Sequence, residues 1–283
     1  AFLVITLAQG KFYLLFSFLF GYSAVFIVRT GAAAERRRYR RRLLGLALLG
    51  FAHAVFFFIG DILLAYALLG FAFMLLLRRS DRTVVRTAAI VFALSVVWLV
   101  LIFALVAVTP PTPDTTTNAL SNAIAHGTFL DAARARLAIL PLTLLTIGSL
   151  QWGIAFSMFC LGLVAGRRSL LADLARSRNL WRRLALWGIV LGLPLQIAAA
   201  VLQVRGGVGL ELLTTEAAAG LVLGFVTAPL LAAGYLGVLA LVSLRTPHTL
   251  DFVRDGGRAS LTLYLSESIV FCVLFCGWGF GLY

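Results

Sequence analysis

From Leu43 to Leu77 the chain is almost uninterruptedly apolar, LLGLALLGFAHAVFFFIGDILLAYALLGFAFMLLL. These 35 residues are too many for one membrane crossing and suit two, since a span takes roughly 20 apolar residues. Only His53 and Asp61 interrupt the run with a group that ionises near neutral pH or carries charge there. Seven of the fourteen residues from Arg29 to Arg42 are arginine, and Arg78-Arg79 follow the run directly. Basic flanks on both sides predict a helical hairpin that leaves the cytoplasm and returns to it. Gly60-Asp61 marks its far tip, and His53 lies within the ascending helix.

The same patterning places further crossings over Lys11 to Val28, Thr87 to Val108, Ile139 to Gly166, Leu184 to Val204, Ala217 to Leu244 and about Ala259 to Trp278. Phe2 to Ala8 is apolar but too short to span, as an interfacial helix or the end of a longer one would be. A polar Pro/Thr-rich segment, 109–138, is the longest stretch outside the membrane, and its DAARARL tail reads as helical. Residues 167–183, RRSLLADLARSRNLWRR, read as a basic amphipathic helix at the cytoplasmic interface. Pro194 predicts a kink within its span, and the seventh span contains Pro229. The expected fold is all-α: one polytopic transmembrane domain over 1–283 with about eight helices.

Composition agrees. The chain is 61% hydrophobic, its mean hydropathy is +1.01, and charged residues make up 12%. A soluble domain of this length cannot hide so much apolar surface. The net charge of +13 would point to nucleic acid in a soluble protein, but here it reflects where the arginines lie. Loops assigned to the cytoplasm hold 20 basic residues, whereas Lys11, Arg134, Arg136 and Arg205 are the four on the other side. That asymmetry is a strong positive-inside signal, with both observed ends outside. A short outer loop carries Arg205, Glu211 and Glu216. Cys160, Cys272 and Cys276 all sit in apolar runs and read as packing residues; Cys272 and Cys276 share a helix face but lack the further ligands of a metal site. With no initiator Met and an apolar, Gly-rich end, flanking segments are expected beyond both ends.

His53 is the leading candidate for chemistry, because an ionisable side chain at membrane depth faces the bundle interior or a wet cavity. A neutral histidine bonded to a neighbouring helix is the structural alternative. Asp61 follows eight residues later, roughly 12 Å along a straight helix, and the turn at Gly60 can bring the two closer. A carboxylate holding a histidine favours a general base that takes a hydroxyl or amine proton. Asp61 also has the position of an N-cap for the descending helix, and capping does not exclude catalysis. Glu267, in SLTLYLSESIVF, must be protonated, paired with a cation such as Arg258, or lining a polar channel. Gln151, Trp152, Gln196, Tyr235 and Tyr264 are candidates for the same cavity, and a structural hydrogen-bond network would use them equally well. Arg40 and Arg41, in the basic loop, suit anionic headgroups or a phosphorylated donor, although a topology anchor is the simpler role. His126 and His248 read as solvated loop histidines. The sequence has no phosphate-binding Gly-rich loop, no metal-ligand cluster and no GxSxG nucleophile motif.

The segments GKFYLLFSFLFGYSAVF (10–26), RRRYRRRLLGLALLGFAH (36–53), GDILLAYALLGF (60–71), FCLGLVAGRRSLL (159–171), PLLAAGYLGVL (229–239), GRASLTLYLSESI (257–269) and GWGFGL (277–282) resemble, in order and spacing, the YeiB family of bacterial membrane proteins. Leu263 stands where that pattern has Asn, and Glu267 where it has Gln. The family's first helix and final helix are missing, so an intact member would have about ten spans with both termini in the cytoplasm. The resemblance extends to a broader group of transmembrane acyltransferases that includes the lysosomal heparan-alpha-glucosaminide acetyltransferase. It implies transfer of an acyl group from cytosolic acyl-CoA, as donor substrate and without a metal, to an extracytoplasmic glycan or lipid acceptor. His53 and Asp61 match the family's His-to-Gly-Asp motif and are the catalytic candidates it implies. A bacterial inner-membrane location, contact with membrane lipids but not nucleic acid, and a homodimer among the expected states complete that expectation. Two other readings remain: a transporter or channel with a His53, Asp61 and Glu267 relay, and a non-catalytic scaffold.

Overall fold

The computed structural model describes residues 1–108, 115–207, 214–246, 257 and 259–282. Glu211, His248, Arg258 and most of the loop 245–258, all named above, lie outside the described residues, as do the prolines at 110–113. The described residues form helices and no strand. In chain order these are α1 (Phe2–Leu7), α2 (Lys11–Ile27), α3 (Ala33–Phe56), α4 (Ile62–Phe73), α5 (Asp81–Val108), α6 (Thr115–His126), α7 (Phe129–Ile147), α8 (Gly153–Arg167), α9 (Arg178–Val190), α10 (Gly192–Arg205), α11 (Thr215–Arg245) and α12 (Ser260–Phe275). One π turn, Gly148–Trp152, connects α7 to α8.

Among the described residues, five helical stretches are long and apolar enough to cross a membrane: Phe2–Ile27, Asp81–Val106, Phe129–Arg167, Arg178–Arg205 and Thr215–Arg245. They coincide with five of the eight expected crossings. The other three differ for identifiable reasons. Helix α3 has 24 residues, but six of the arginines occupy its first turns. Helix α4 has 12 residues, about 18 Å at 1.5 Å per residue, and continues through tight turns whose N–H groups reach back three residues, as from Leu76 to Phe73. Helix α12 has 16. Large apolar side chains are exposed all along the helices, among them Leu48, Leu94, Leu101 and Leu145. That is the surface of a polytopic helical membrane protein, whose outward face needs no polar cover.

By its contacts the chain divides into two compact units, residues 1–39, 72–112 and 150–247 in one and 40–71, 113–149 and 248–283 in the other. In the first unit, α2 packs along α8, α9 and α10 pack on α11, and α5 lies against α8 and α11. Its apolar core gathers Leu14, Leu99, Phe103, Ile154, Ala218, Ala228 and Ala232. The α2–α8 seam depends on missing side chains: a Cβ on Gly162 would run into the Phe18 carbonyl, and one on Gly21 into the Phe159 carbonyl. Dispersion at such close approach is what holds helices together where the surroundings are as apolar as their side chains. Lys11 is buried in this unit; its Nζ donates to the Ile5 carbonyl at 2.8 Å and to Gln196 Oε1 at 2.6 Å. The Gln196 amide donates in turn to the Gly224 carbonyl and the Thr227 hydroxyl. Pro194 does mark a break, since α9 ends and α10 begins at Leu191. Pro229, by contrast, lies inside an unbroken α11.

Two local expectations are corrected. The described part of the polar segment 109–138 is largely helical, in α6 and the start of α7, whose first turn is set by a reciprocal capping box between Thr128 and Asp131. The expected amphipathic helix over 167–183 is instead a chain of turns from 168 to 177, and helix resumes only at Arg178. The cause is a Schellman stop: Ser169 takes φ 53°, Leu170 N–H reaches the Ala165 carbonyl at 3.0 Å, and Ser169 N–H reaches the Gly166 carbonyl at 3.0 Å. A side chain in this left-handed position costs roughly 1 kcal/mol. Ser169→Gly is therefore expected to stabilise the protein by about 0.5–1 kcal/mol, read as a raised midpoint of thermal unfolding in detergent.

Candidate functional site

The second unit holds the His53–Asp61 pair. His53 lies in the last turn of α3, later in its helix than the apolar pattern alone suggests, and Asp61 directly precedes α4. His53 Nδ1 is 2.8 Å from Asp61 Oδ1, and both side chains are almost fully buried, at 2% and 1% exposure. The other carboxylate oxygen accepts the Leu64 N–H at 2.6 Å, so Asp61 caps α4 while it holds His53. Tyr264, from α12, donates its hydroxyl to Asp61 Oδ1 at 3.2 Å, and its ring lies 5.0 Å from the His53 ring. Gly50 makes the close approach possible, because a Cβ there would collide with the Leu64 amide and come within 2.6 Å of Asp61 Oδ2.

An ionised Asp61 is a pure acceptor, so His53 must present N–H at Nδ1. That leaves Nε2 as the basic nitrogen, and Nε2 is buried with no hydrogen-bond partner. A buried polar atom left unsatisfied costs about 1–3 kcal/mol, which makes Nε2 the atom of this cluster with unspent bonding capacity.

Next to the pair lies Arg136 of α7, 2% exposed. Its Nη1 donates to the Phe56 carbonyl at 3.0 Å, and its Nη2 lies 3.8 Å from Cys276 Sγ and 4.0 Å from Cys272 Sγ. Cys272 Sγ itself bonds the Phe57 carbonyl at 3.2 Å. The guanidinium and thiol thus cover the carbonyls that end α3, just beyond His53. Phe129 stacks on Phe56 and meets the ring of Trp278 edge-on, closing an aromatic wall over the same helix end.

Of the residues singled out in the sequence, the structure brings His53, Asp61 and Tyr264 together. Glu267, three residues after Tyr264, is exposed and bonds neither member of the pair. Arg40 and Arg41 are exposed on α3, about 20 Å along its axis from His53. Tyr235, Gln151, Trp152 and Gln196 belong to the first unit; Tyr235 donates its hydroxyl to the Leu7 carbonyl, Gln151 and Trp152 are half-buried in the π turn, and Gln196 serves Lys11. Arg136 and Cys272 were missed as site residues. Arg136 had a signal: it shares a helical face with Ala132, Ala133 and Leu140, all buried, whereas Arg134 falls on the opposite, exposed face. Among the described residues no group of His, Cys, Asp and Glu is arranged to hold a metal ion.

A buried, carboxylate-oriented histidine inside a polytopic helical membrane protein defines the class. Residues 165–283 match the family model described as "Protein of unknown function (DUF418)". The chain is also 29% identical over 292 residues to the uncharacterized protein YxaH of Bacillus subtilis (strain 168), an alignment covering 97% of this chain and 69% of that protein. The chain is thus similar to the DUF418 family over residues 165–283 and to YxaH over nearly its whole length. No solved structure matches the chain.

Asp61→Ala removes the α4 cap and strands both the His53 Nδ1 proton and the Tyr264 hydroxyl. It is expected to cost about 2–4 kcal/mol in denaturant unfolding in detergent, whereas Asp61→Asn, which keeps an acceptor oxygen for the cap, costs less than half as much.

Proposed function

We propose that the protein is a transmembrane acyltransferase that moves an acyl group from acyl-CoA, on the arginine-rich side, to a hydroxyl or amine of a glycan or lipid acceptor on the other. The observation that carries this reading is His53 Nε2, buried and unpartnered, on a ring whose other nitrogen is held by Asp61. Nε2 takes the proton of the acceptor as its oxygen or nitrogen attacks the thioester carbonyl. The tetrahedral intermediate collapses with cleavage of the carbon–sulfur bond, and the proton on Nε2 passes to the departing thiolate. Asp61 keeps the ring in the productive tautomer and stabilises the transient imidazolium, and Tyr264 fixes Asp61. The resemblance to acyltransferases noted in the sequence supports the same assignment, as does the one-sided distribution of arginine; the same reading puts the chain in the bacterial inner membrane.

A positioned general base contributes about 10²–10⁴-fold to rate. Transfer of labelled acetyl from acetyl-CoA to envelope glycolipid, assayed in membranes of cells expressing the chain, is thus expected to fall by at least about 100-fold in His53→Ala and by less in Asp61→Asn. Transfer within twofold of the wild-type rate in His53→Ala would sink the assignment.

A further inference from the structure

The first unit contains a second feature that neither the His53 pair nor the helix packing uses. A cavity of about 380 Å³ is lined by Val25, Val28, Arg29, Thr30 and Gly31 at the end of α2, by Leu77, Arg78 and Arg79 after α4, and by Leu163 and Arg167 of α8. Its size falls within the roughly 300–1,000 Å³ of small-molecule sites. Four guanidiniums border it, and they are not equivalent. Arg167 is committed to structure: it donates to the carbonyls of Arg79 and Leu77 and pairs with Asp81 at 2.9 Å. Asp81 is further occupied by Arg168 at 3.4 Å.

Arg29, Arg78 and Arg79 have no ion pair among the described residues, and all three are exposed. The nearby carboxylate, Glu35, is spent on the loop itself, accepting the Thr30 and Gly31 N–H groups at 3.0 and 2.8 Å. Desolvation raises the Glu35 carboxyl, and the N–H groups of Thr30, Gly31 and Ala32 with the Thr30 hydroxyl outweigh it, so the group lies below the usual carboxylate range. Arg36 closes the loop from the other side by donating to the Gly31 carbonyl at 2.6 Å. The Arg78 stem lies against Gly31, where an added Cβ would meet its Nε at 3.5 Å. Three uncompensated cations therefore converge on one concavity from two separate helix junctions, on a loop already fixed by its own bonds. Positive-inside anchoring needs only the sign of those loops, not their convergence.

We propose that this cavity binds a phosphorylated ligand carrying two or more negative charges, with Arg29, Arg78 and Arg79 as the binding residues. Guanidinium forks match phosphate oxygens two at a time, and a ligand with two or more negative charges balances the excess here. A soluble nucleotide diphosphate moiety and an anionic lipid headgroup present the same chemistry. The inference stands apart from the acyl-transfer reading, which it deepens if the soluble moiety is that of coenzyme A.

The test uses the full chain in nanodiscs of phosphatidylcholine alone or with one-fifth phosphatidic acid. Binding of inorganic pyrophosphate and of coenzyme A is measured by calorimetry, and co-purifying lipids by mass spectrometry. Arg78→Gln with Arg79→Gln is expected to weaken pyrophosphate binding by at least about tenfold, since each bond to a charged group is worth a decade or more, with Arg134→Gln as control. His53→Gln is expected to leave binding unchanged, so failure of the pocket and failure of the histidine chemistry are read separately. If pyrophosphate does not bind but phosphatidic acid retention falls in the double variant, the ligand is a lipid headgroup. If the double variant alters neither pyrophosphate affinity nor phosphatidic acid retention, or alters them no more than Arg134→Gln does, the inference is overturned.

Discussion

A carboxylate that leaves water must recover its hydrogen bonds from the protein, and in this chain Asp61 does so from three helices at once. Leu64 supplies the first-turn N–H of α4, His53 a ring nitrogen from the end of α3, and Tyr264 a hydroxyl from α12. Each donor constrains the element that carries it. The hairpin tip is therefore more than a reversal of chain direction: the capping group of one arm is the orienting group for the histidine of the other. Gly50 belongs to the same constraint, because without its missing side chain α3 could not come within reach of the cap. The catalytic proposal rests on the asymmetry that results, with Nδ1 engaged and Nε2 left over.

The same rule organises the first unit with different residues. Lys11 is buried without a carboxylate, and its ammonium is received by neutral oxygens, the Ile5 carbonyl and the Gln196 side chain. Gln196 passes the demand on to Gly224 and Thr227 of α11, so one buried cation ties α1, α2, α10 and α11 together. Around this polar contact the helices approach through glycine and alanine rather than through large side chains. Where no hydrophobic driving force separates helix from lipid, satisfied polar groups and close backbone approach are the available adhesives.

These constraints explain what could be read in the chain beforehand. Membrane class, helical content and the five long apolar helices follow from hydropathy, which integrates over many residues. His53 and Asp61 were legible as a candidate pair, since Gly60 between them lets the chain turn, but their contact, at 2.8 Å, is visible only in the structure. Tyr264 could be placed only as a candidate, because 203 residues separate it from Asp61 and nothing local signals the pairing. Glu267 looked more promising than Tyr264 by charge, yet it points outward, and periodicity along so uniformly apolar a helix carries too little contrast to tell the faces apart. The stop at Ser169 was hidden because serine is an unusual occupant of a left-handed position, and the local pattern continued to read as amphipathic helix. Lys11 and Arg136 entered the charge count as loop cations, while the structure spends both as buried donors.

Arg136 shows how a buried charge can be tolerated without a counter-charge. Its guanidinium sits where α3 ends, and the last carbonyls of a helix carry the negative pole of the helix dipole. Phe56 presents such a carbonyl at 3.0 Å, and the polarisable sulfurs of Cys272 and Cys276 flank the other nitrogen. Cys272 completes the arrangement by donating to the next carbonyl, that of Phe57. The final turn of α3, which carries His53, is thereby held from α7 and α12. Fixing the ring by its carboxylate alone would leave the backbone beneath it free to fray, as helix ends do. With Asp61 gripping the side chain and Arg136 gripping the carbonyl three residues on, the direction of Nε2 is set from both ends. A residue counted in the sequence as a topology charge is thus part of what orients the candidate base.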